Sequence, residues 1–349
     1  MTATVTLSLA VIEDLALRAL LASNVAPGNA RAVARSIAFA ERDGQQIVGL
    51  SYLPTYCDHA ACGKVDGNAQ PELQQLSPAT VRVDARTGFA HPALALGLPA
   101  LAHVATRHGL AALAVANSYA CGSLGYFVEE LAEHGLVALM VANASPSIAA
   151  HGGKAPFFGT NPLAFAVPRT GKPPLVIDQS SSVVAKVAVI DAYRRGVPLP
   201  PGWALDPDGA PTVDAAAAMA GSLLPIGGYK GAGLALIVDI LAGGLTDSHF
   251  SFEASSFGNN EGGPPRTGQF LIAINPHLFG GTTFAARLET LFSRMQTEPD
   301  VRLPGDRRLS ARKKHALGIK VPADLVTRLE RYAEDGPPAQ TKTTDDSAP

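Results

Sequence analysis

Four short turns gather the residue types that a phosphate-bearing ligand requires: Gly122-Ser-Leu-Gly125, Gly152-Gly153, Gly227-Gly-Tyr-Lys-Gly231 and Gly305-Asp-Arg-Arg308. Glycines let backbone N–H groups close on phosphate oxygens, and Lys230, Arg307 and Arg308 add positive charge. Taken singly, each turn reads equally well as an ordinary connection with solvated charges. No Gly-x-Gly-x-x-Gly follows a strand and no Gly-x-x-x-x-Gly-Lys-Ser/Thr occurs, so neither a Rossmann nor a P-loop reading is supported. A second group could move protons. Tyr52, Tyr56, His59, Tyr119 and Tyr126 sit in or beside the same loops, although a tyrosine packed with its hydroxyl satisfied does no chemistry.

The rest of the composition narrows the class. A chain of 349 residues with 47% hydrophobic content can bury a sizeable core in two or three lobes. The 28 basic and 30 acidic residues nearly cancel, and no basic stripe with interleaved aromatics is present, so nucleic acid is not an expected partner. Cys57, Cys62 and Cys121 form no disulfide framework and no zinc spacing, which points to a reducing compartment and no metal. Met1–Leu9 lacks a basic, apolar leader pattern, and Leu234–Leu245 is too short to span a bilayer. The expectation is a cytoplasmic protein with a small-molecule substrate and no membrane partner.

The elements that must carry these loops follow from periodicity. Ser8 caps a helix through Leu21, Pro27 opens a second to Arg42, and Leu50–Ala60 reads as a third. Thr80–Asp84 alternates as a strand, Pro92–His108 is helical, and Leu110–Ala116 is a buried strand ending in the Asn117–Gly125 loop. Phe127–His134 is a helix closed by Gly135; Leu136–Asn143, Leu163–Pro168, Leu175–Asp178 and Phe270–Asn275 are strands. Helices are expected at Val183–Gly196, Gly231–Leu245, Phe284–Gln296 and Val321–Tyr332, the last with Pro322 in its first turn. This is an α/β pattern with a mixed sheet. Residues 1–75 with 310–335 are expected to form a helical lobe, 76–309 a discontinuous sheet region, and 336–349 a disordered tail.

One ordered series of motifs resembles a known family. Asn117-Ser118 with Gly122-x-x-Gly125-Tyr126, His151-Gly-Gly, Phe158-Gly-Thr-Asn-Pro-Leu-Ala-Phe165, Asp178, Pro225-Ile-Gly-Gly-Tyr-Lys-Gly231 and Leu303–Arg308 occur in this order. Together they resemble the malate/lactate/sulfolactate dehydrogenase family, and within it the Δ1-piperideine-2-carboxylate/Δ1-pyrroline-2-carboxylate reductases. The resemblance runs from about Leu9 to Tyr332 and implies a non-Rossmann NAD(P) fold and a homodimer. It places cofactor contacts on Ala120, Cys121, Gly122, Ser123, Leu124, Asp178, Gln179, Ser180, Tyr229, Lys230, Asn275, Gly305, Asp306, Arg307 and Arg308. Paired guanidiniums suit a 2′-phosphate, so NADPH is expected, with NADH possible. Substrate contacts fall on Val48, Tyr52, Tyr126 and His151.

The proton-transfer positions depart from that pattern. Ile47-Val48 stands where the family carries Ser-His, Tyr52 where it carries a carboxylate-binding arginine, Ala120 where a second histidine is common, and Ala188 where the reductases carry an aspartate. Valine, isoleucine and alanine neither carry protons nor bind anions. Tyr52 is the candidate replacement at the catalytic position. A ketone needs a proton delivered to the developing alkoxide, whereas an imine nitrogen can be protonated beforehand, so reduction of a cyclic C=N bond survives these losses better. Two alternatives stand beside it: a 2-oxo-acid/2-hydroxy-acid dehydrogenase with a non-standard acid, and a catalytically silent cofactor-binding homologue.

Overall fold

The computed structural model describes residues 3–338. Its centre is a seven-stranded mixed sheet in the spatial order Glu72–Ser77, Thr80–Asp84, Leu110–Ser118, Thr267–Ile274, Val137–Ala142, Leu163–Val167 and Leu175–Gln179. Every neighbouring pair is antiparallel except Thr80–Asp84 with Leu110–Ser118. The helix Ala90–His108 makes that parallel crossover, as such a pairing requires. It packs on one face of the sheet beside Leu124–Glu133, burying Leu94, Leu98, Leu101, Val128 and Leu131 against Leu113, Val115, Met140 and Leu271. The other face receives Val238 and Ala242 over Val141, and Phe292 over Val137 and Val167.

Helices Leu9–Ala22, Pro27–Arg42, Leu53–Ala61 and Ala323–Asp335 share a separate core. Ile12, Leu15 and Leu20 from the start of the chain meet Val321, Leu329 and Tyr332 from its end. Thr4–Leu7 and Ile319–Pro322 pair antiparallel and join the two ends directly. A third region, around Ile148, Val189 and Leu223, holds a small five-stranded sheet of two- and three-residue strands.

Several expected boundaries move. The final helix begins at Ala323, and Ile319–Pro322 is a strand: Ile319 and Val321 point inward while Lys320 and Pro322 point out, a period of two that the following helical run conceals. Two 3₁₀ turns occupy Gln46–Val48 and Leu50–Tyr52, so the third helix begins only at Leu53. The helix from Tyr229 ends at Asp239 and continues as a single π turn, Ile240–Gly244. The edge strand Glu72–Ser77 straddles the boundary expected at residue 75. The residues from 339 onward, expected to be a disordered tail, lie outside the described residues.

Candidate functional site

Two concavities carry many, though not all, of the expected site residues. The larger, about 740 Å³, is an open groove whose walls include Asp43, Asp178, Gln179, Gly305, Arg307 and Arg308. The smaller, about 180 Å³, is lined by Val48, Tyr52, Tyr56, Ala120, Cys121, Gly122, Leu124, Ala142, Asn143, Ala144, Thr160, Pro162, Phe257 and Gln269. The loop before helix Leu124–Glu133 runs between them. Asp178 Oδ2 fixes that loop by accepting from Ser123 Oγ at 2.9 Å and from the Gly125 N–H at 2.8 Å. Its carboxylate thereby occupies the positive end of the helix.

Beside Asp43 and Asp178, the groove presents features that suit an anion. Gly305 has φ +88°, and a Cβ there would lie 3.1 Å from the Val176 carbonyl, so the backbone passes where no side chain fits. Directly after it, helix Asp306–His315 starts and presents the N–H groups of its first turn, of which that of Asp306 already donates to the Leu303 carbonyl at 3.2 Å. Asp306 itself closes the turn by accepting from the Leu303 N–H at 3.0 Å. Arg307 is exposed and lines the groove. Arg308 is different: it is buried and donates to Glu129 at 3.1 and 3.3 Å, beside Asp43 at 3.5 Å. Arg312 binds the same two carboxylates. Of the two arginines expected to share a phosphate, only Arg307 is uncommitted; Arg308 holds the floor of the groove to helices Pro27–Arg42 and Leu124–Glu133.

The smaller cavity is built from the opposite materials. Glu41 is buried and accepts from the Leu50 N–H at 2.8 Å, which pins the 3₁₀ turns that present Val48 and Tyr52. A Cβ on Gly49 would meet this carboxylate at 2.3 Å, so the pinning requires glycine. Tyr52 and Tyr56 meet edge to face at 4.8 Å. Behind them Tyr119 contacts Tyr56 at 6.0 Å and Phe257 at 5.1 Å, and its hydroxyl bonds to His59 Nδ1. Burial, and then the nearby Lys64 ammonium, push His59 down to about 4, so the ring is neutral and Nδ1 accepts. Burial pushes the Tyr52 phenol up to about 12. Neither group releases a proton readily at neutral pH.

The remaining positions divide. Ala120, Cys121, Gly122, Leu124, Val48 and Tyr52 meet in the small cavity, and Asp178, Gln179, Gly305 and Arg307 in the groove. Ser180 bonds to Ser182 just beyond the groove. Asn275 does not join them: it bonds to the Thr106 carbonyl at the far end of the strand that starts at Thr267, and only the Thr267 end lies beside Ser118 and the site. Tyr126 also fails to reach the cavity, because its ring packs on Phe39 at 4.6 Å and Phe127 at 4.9 Å. His151 and Tyr229 stand 6.0 Å apart, exposed with Lys230 near the small sheet, outside both concavities. Ile47 is half exposed, and Ala188 lies in the first turn of helix Lys186–Arg195. Sequence reasoning missed Phe257, Asn143, Thr160 and Gln269. Only Thr160 carried a signal, its place in the Gly-Thr-Asn-Pro turn.

Comparison with known proteins agrees with this geometry. Residues 7–330 match the malate/L-lactate dehydrogenase family, and the chain belongs to it. A (2R)-3-sulfolactate dehydrogenase (NADP(+)) of Chromohalobacter salexigens is 45% identical over 327 residues, covering 94% of this chain and 98% of that protein. A Δ1-pyrroline-2-carboxylate reductase of Ancylobacter novellus is 40% identical, covering 95% of this chain and 98% of that protein. The crystal structure of Δ1-piperideine-2-carboxylate reductase from Pseudomonas syringae superposes with a TM-score of 0.90 at 40% identity, over 94% of this chain and all of that one. The non-Rossmann α/β fold expected from the motifs is therefore the fold of the chain.

Proposed function

We propose that this chain is an NADPH-dependent reductase that transfers hydride to the C=N bond of a small cyclic imine. The groove residues fit the cofactor: Gly305 and the following helix start would receive its phosphates, and Arg307 a 2′-phosphate, with NADH the weaker alternative. When bound, the cofactor supplies the hydride. The chain's own residues orient the acceptor in the small cavity and exclude water from it.

One observation carries the choice of an imine. Among the described residues the wall of the small cavity holds no histidine and no carboxyl group: Val48 is aliphatic, and the wall's hydroxyls belong to Tyr52, Tyr56 and Thr160, with burial pushing the Tyr52 phenol up to about 12. A ketone would need a delivered proton in the transition state; an iminium brings its own. Two close relatives by name act on cyclic imines, which supports the same reading. The test is NADPH oxidation measured against cyclic imines and against 2-oxo acids. Faster turnover of a 2-oxo acid would defeat the proposal, and so would the absence of NADPH binding by calorimetry.

A homodimer is part of the same proposal. Leu236, Ile237, Ile240, Leu245 and Phe252 are exposed along the helix from Tyr229 and the segment after it, an apolar surface of the sort that a second copy covers. A monomer mass in light scattering would count against it. A cytoplasmic location suits the three free thiols, and among the described residues no helix is long and apolar enough to cross a membrane.

A further inference from the structure

The small cavity shows which acceptors it can hold. Among the described residues, no charged side chain lines it. Its polar wall is already spent on the protein itself. Asn143 donates to Asp239 at 3.1 Å and to the His249 carbonyl at 2.7 Å, and it accepts from the Gly268 N–H at 3.0 Å. Gln269 accepts from Ser118 at 2.8 Å and donates to the Tyr119 carbonyl at 3.3 Å. A buried cation, Lys64, lies behind His59 and donates to the carbonyls of Asn259 and Glu261. What remains facing inward is three aromatic rings, Tyr52, Tyr56 and Phe257, with hydroxyls on Thr160 and the two tyrosines.

Such a lining treats the two signs of charge differently. A carboxylate inside it would find no cation, and a buried anion without one is costly. A cation whose charge is spread over C=N⁺ is attracted to aromatic faces, more strongly once water is removed. We infer that the substrate is a cyclic iminium without a carboxylate, held as a cation among Tyr52, Tyr56 and Phe257. This inference rests on the imine-reductase reading and adds the substrate class. In the reaction the iminium carbon accepts a hydride from the reduced nicotinamide, and the C=N π pair becomes the nitrogen lone pair. The products are a neutral cyclic amine and oxidised cofactor, and the amine takes a proton only after leaving.

The test compares 2-methyl-1-pyrroline with Δ1-pyrroline-2-carboxylate, rings that differ in a methyl group against a carboxylate, under NADPH and at a pH where both are protonated. The expected result is a kcat/KM at least about tenfold higher for the carboxylate-free ring, the effect of leaving one buried charged group unpaired. Tyr52→Arg, which adds a cation to the wall, should reverse the preference; Tyr52→Phe should keep it. Phe257→Leu should weaken the methyl ring more than the carboxylate ring. A wild type that prefers the carboxylate ring overturns the inference and leaves the imine reading intact. If neither ring is reduced the imine reading fails, and binding decides this inference separately: with NADP⁺ present, N-methylpyrrolidinium should bind more tightly than proline, and the reverse order refutes it.

Discussion

The groove and the small cavity adjoin the same loop, yet they are made from opposite chemistry. The groove has an ion-paired floor, a free arginine and a helix start. The cavity is uncharged, aromatic, and walled by amides whose hydrogen bonds are already used. Asp178, Gln179, Gly305 and Arg307 in the groove are among the residues the motifs anticipated, whereas the cavity wall holds Val48, Tyr52 and Ala120, three of the positions that depart from the family pattern. A dinucleotide presents the same phosphates whatever is reduced, so selection on the groove is fixed by chemistry that does not change. The cavity answers only to the substrate. A change of substrate with cofactor binding retained, as proposed above, would leave this division: an altered cavity wall beside a groove that keeps its arginine and helix start.

The division can be broken most forcefully through its two arginines. Arg308→Ala removes one partner from a buried network and leaves Glu129 and Asp43 under-compensated, which should cost about 3–5 kcal/mol of stability. Arg307→Ala should leave thermal unfolding unchanged and weaken NADPH about tenfold, the loss of one charge-assisted contact. Equal melting temperatures for the two variants would refute the assignment of structural and binding roles.

A gain of function sharpens the same comparison from the other side. Ile47→Ser, Val48→His and Tyr52→Arg together place an acid and an anion clamp in the cavity wall without touching the groove. Reduction of pyruvate should rise by about 10²-fold or more, the usual contribution of a positioned acid. No gain, with NADPH affinity unchanged, would mean that the reacting atoms do not sit at this wall.

The smallest effect concerns pH. Burial holds His59 and His91 down to about 4 in the native protein, while in the unfolded chain each titrates near 6.5. Between these values the unfolded chain binds protons that the native one refuses. Stability is therefore full above about pH 6.5 and declines as pH falls toward 4. Melting temperatures from pH 7.5 to 4.5 should fall, and His91→Phe should flatten part of the slope. A flat wild-type profile would show that the neutral region is not the acid-sensitive one.

Much of the sheet and most helices were legible because long segments carry one strong signal: helical spacing along Ala90–His108, and an unbroken apolar run in Leu110–Ala116 that marks a buried strand. The joined ends were not, since Ile319–Pro322 is only four residues long and gains meaning from Thr4–Leu7, more than three hundred positions away. The groove was readable because glycine and arginine announce themselves locally. The cavity was readable only in part. Phe257 arrives from a loop whose sequence carries no period, and Asn143 and Gln269 sit in strands where an amide looks like an interruption rather than a wall. Arg307 and Arg308 are adjacent and identical in type, so only burial separates their roles.

The pairing of Thr4–Leu7 with Ile319–Pro322 also sets the order in which the molecule can be completed during synthesis. The core that backs Tyr56 includes Val321, Leu329 and Tyr332, and the Tyr332 hydroxyl bonds to Asp58 at 2.9 Å, just along the helix from Tyr56. Those partners leave the ribosome after every other element of the lobe, and closing so long a loop delays their contacts further. The central sheet has all its strands by residue 274, well before the lobe has its last helix. The nascent chain therefore carries a complete central sheet before the groove has Gly305 and Arg307 and before the cavity wall has its backing from Val321, Leu329 and Tyr332.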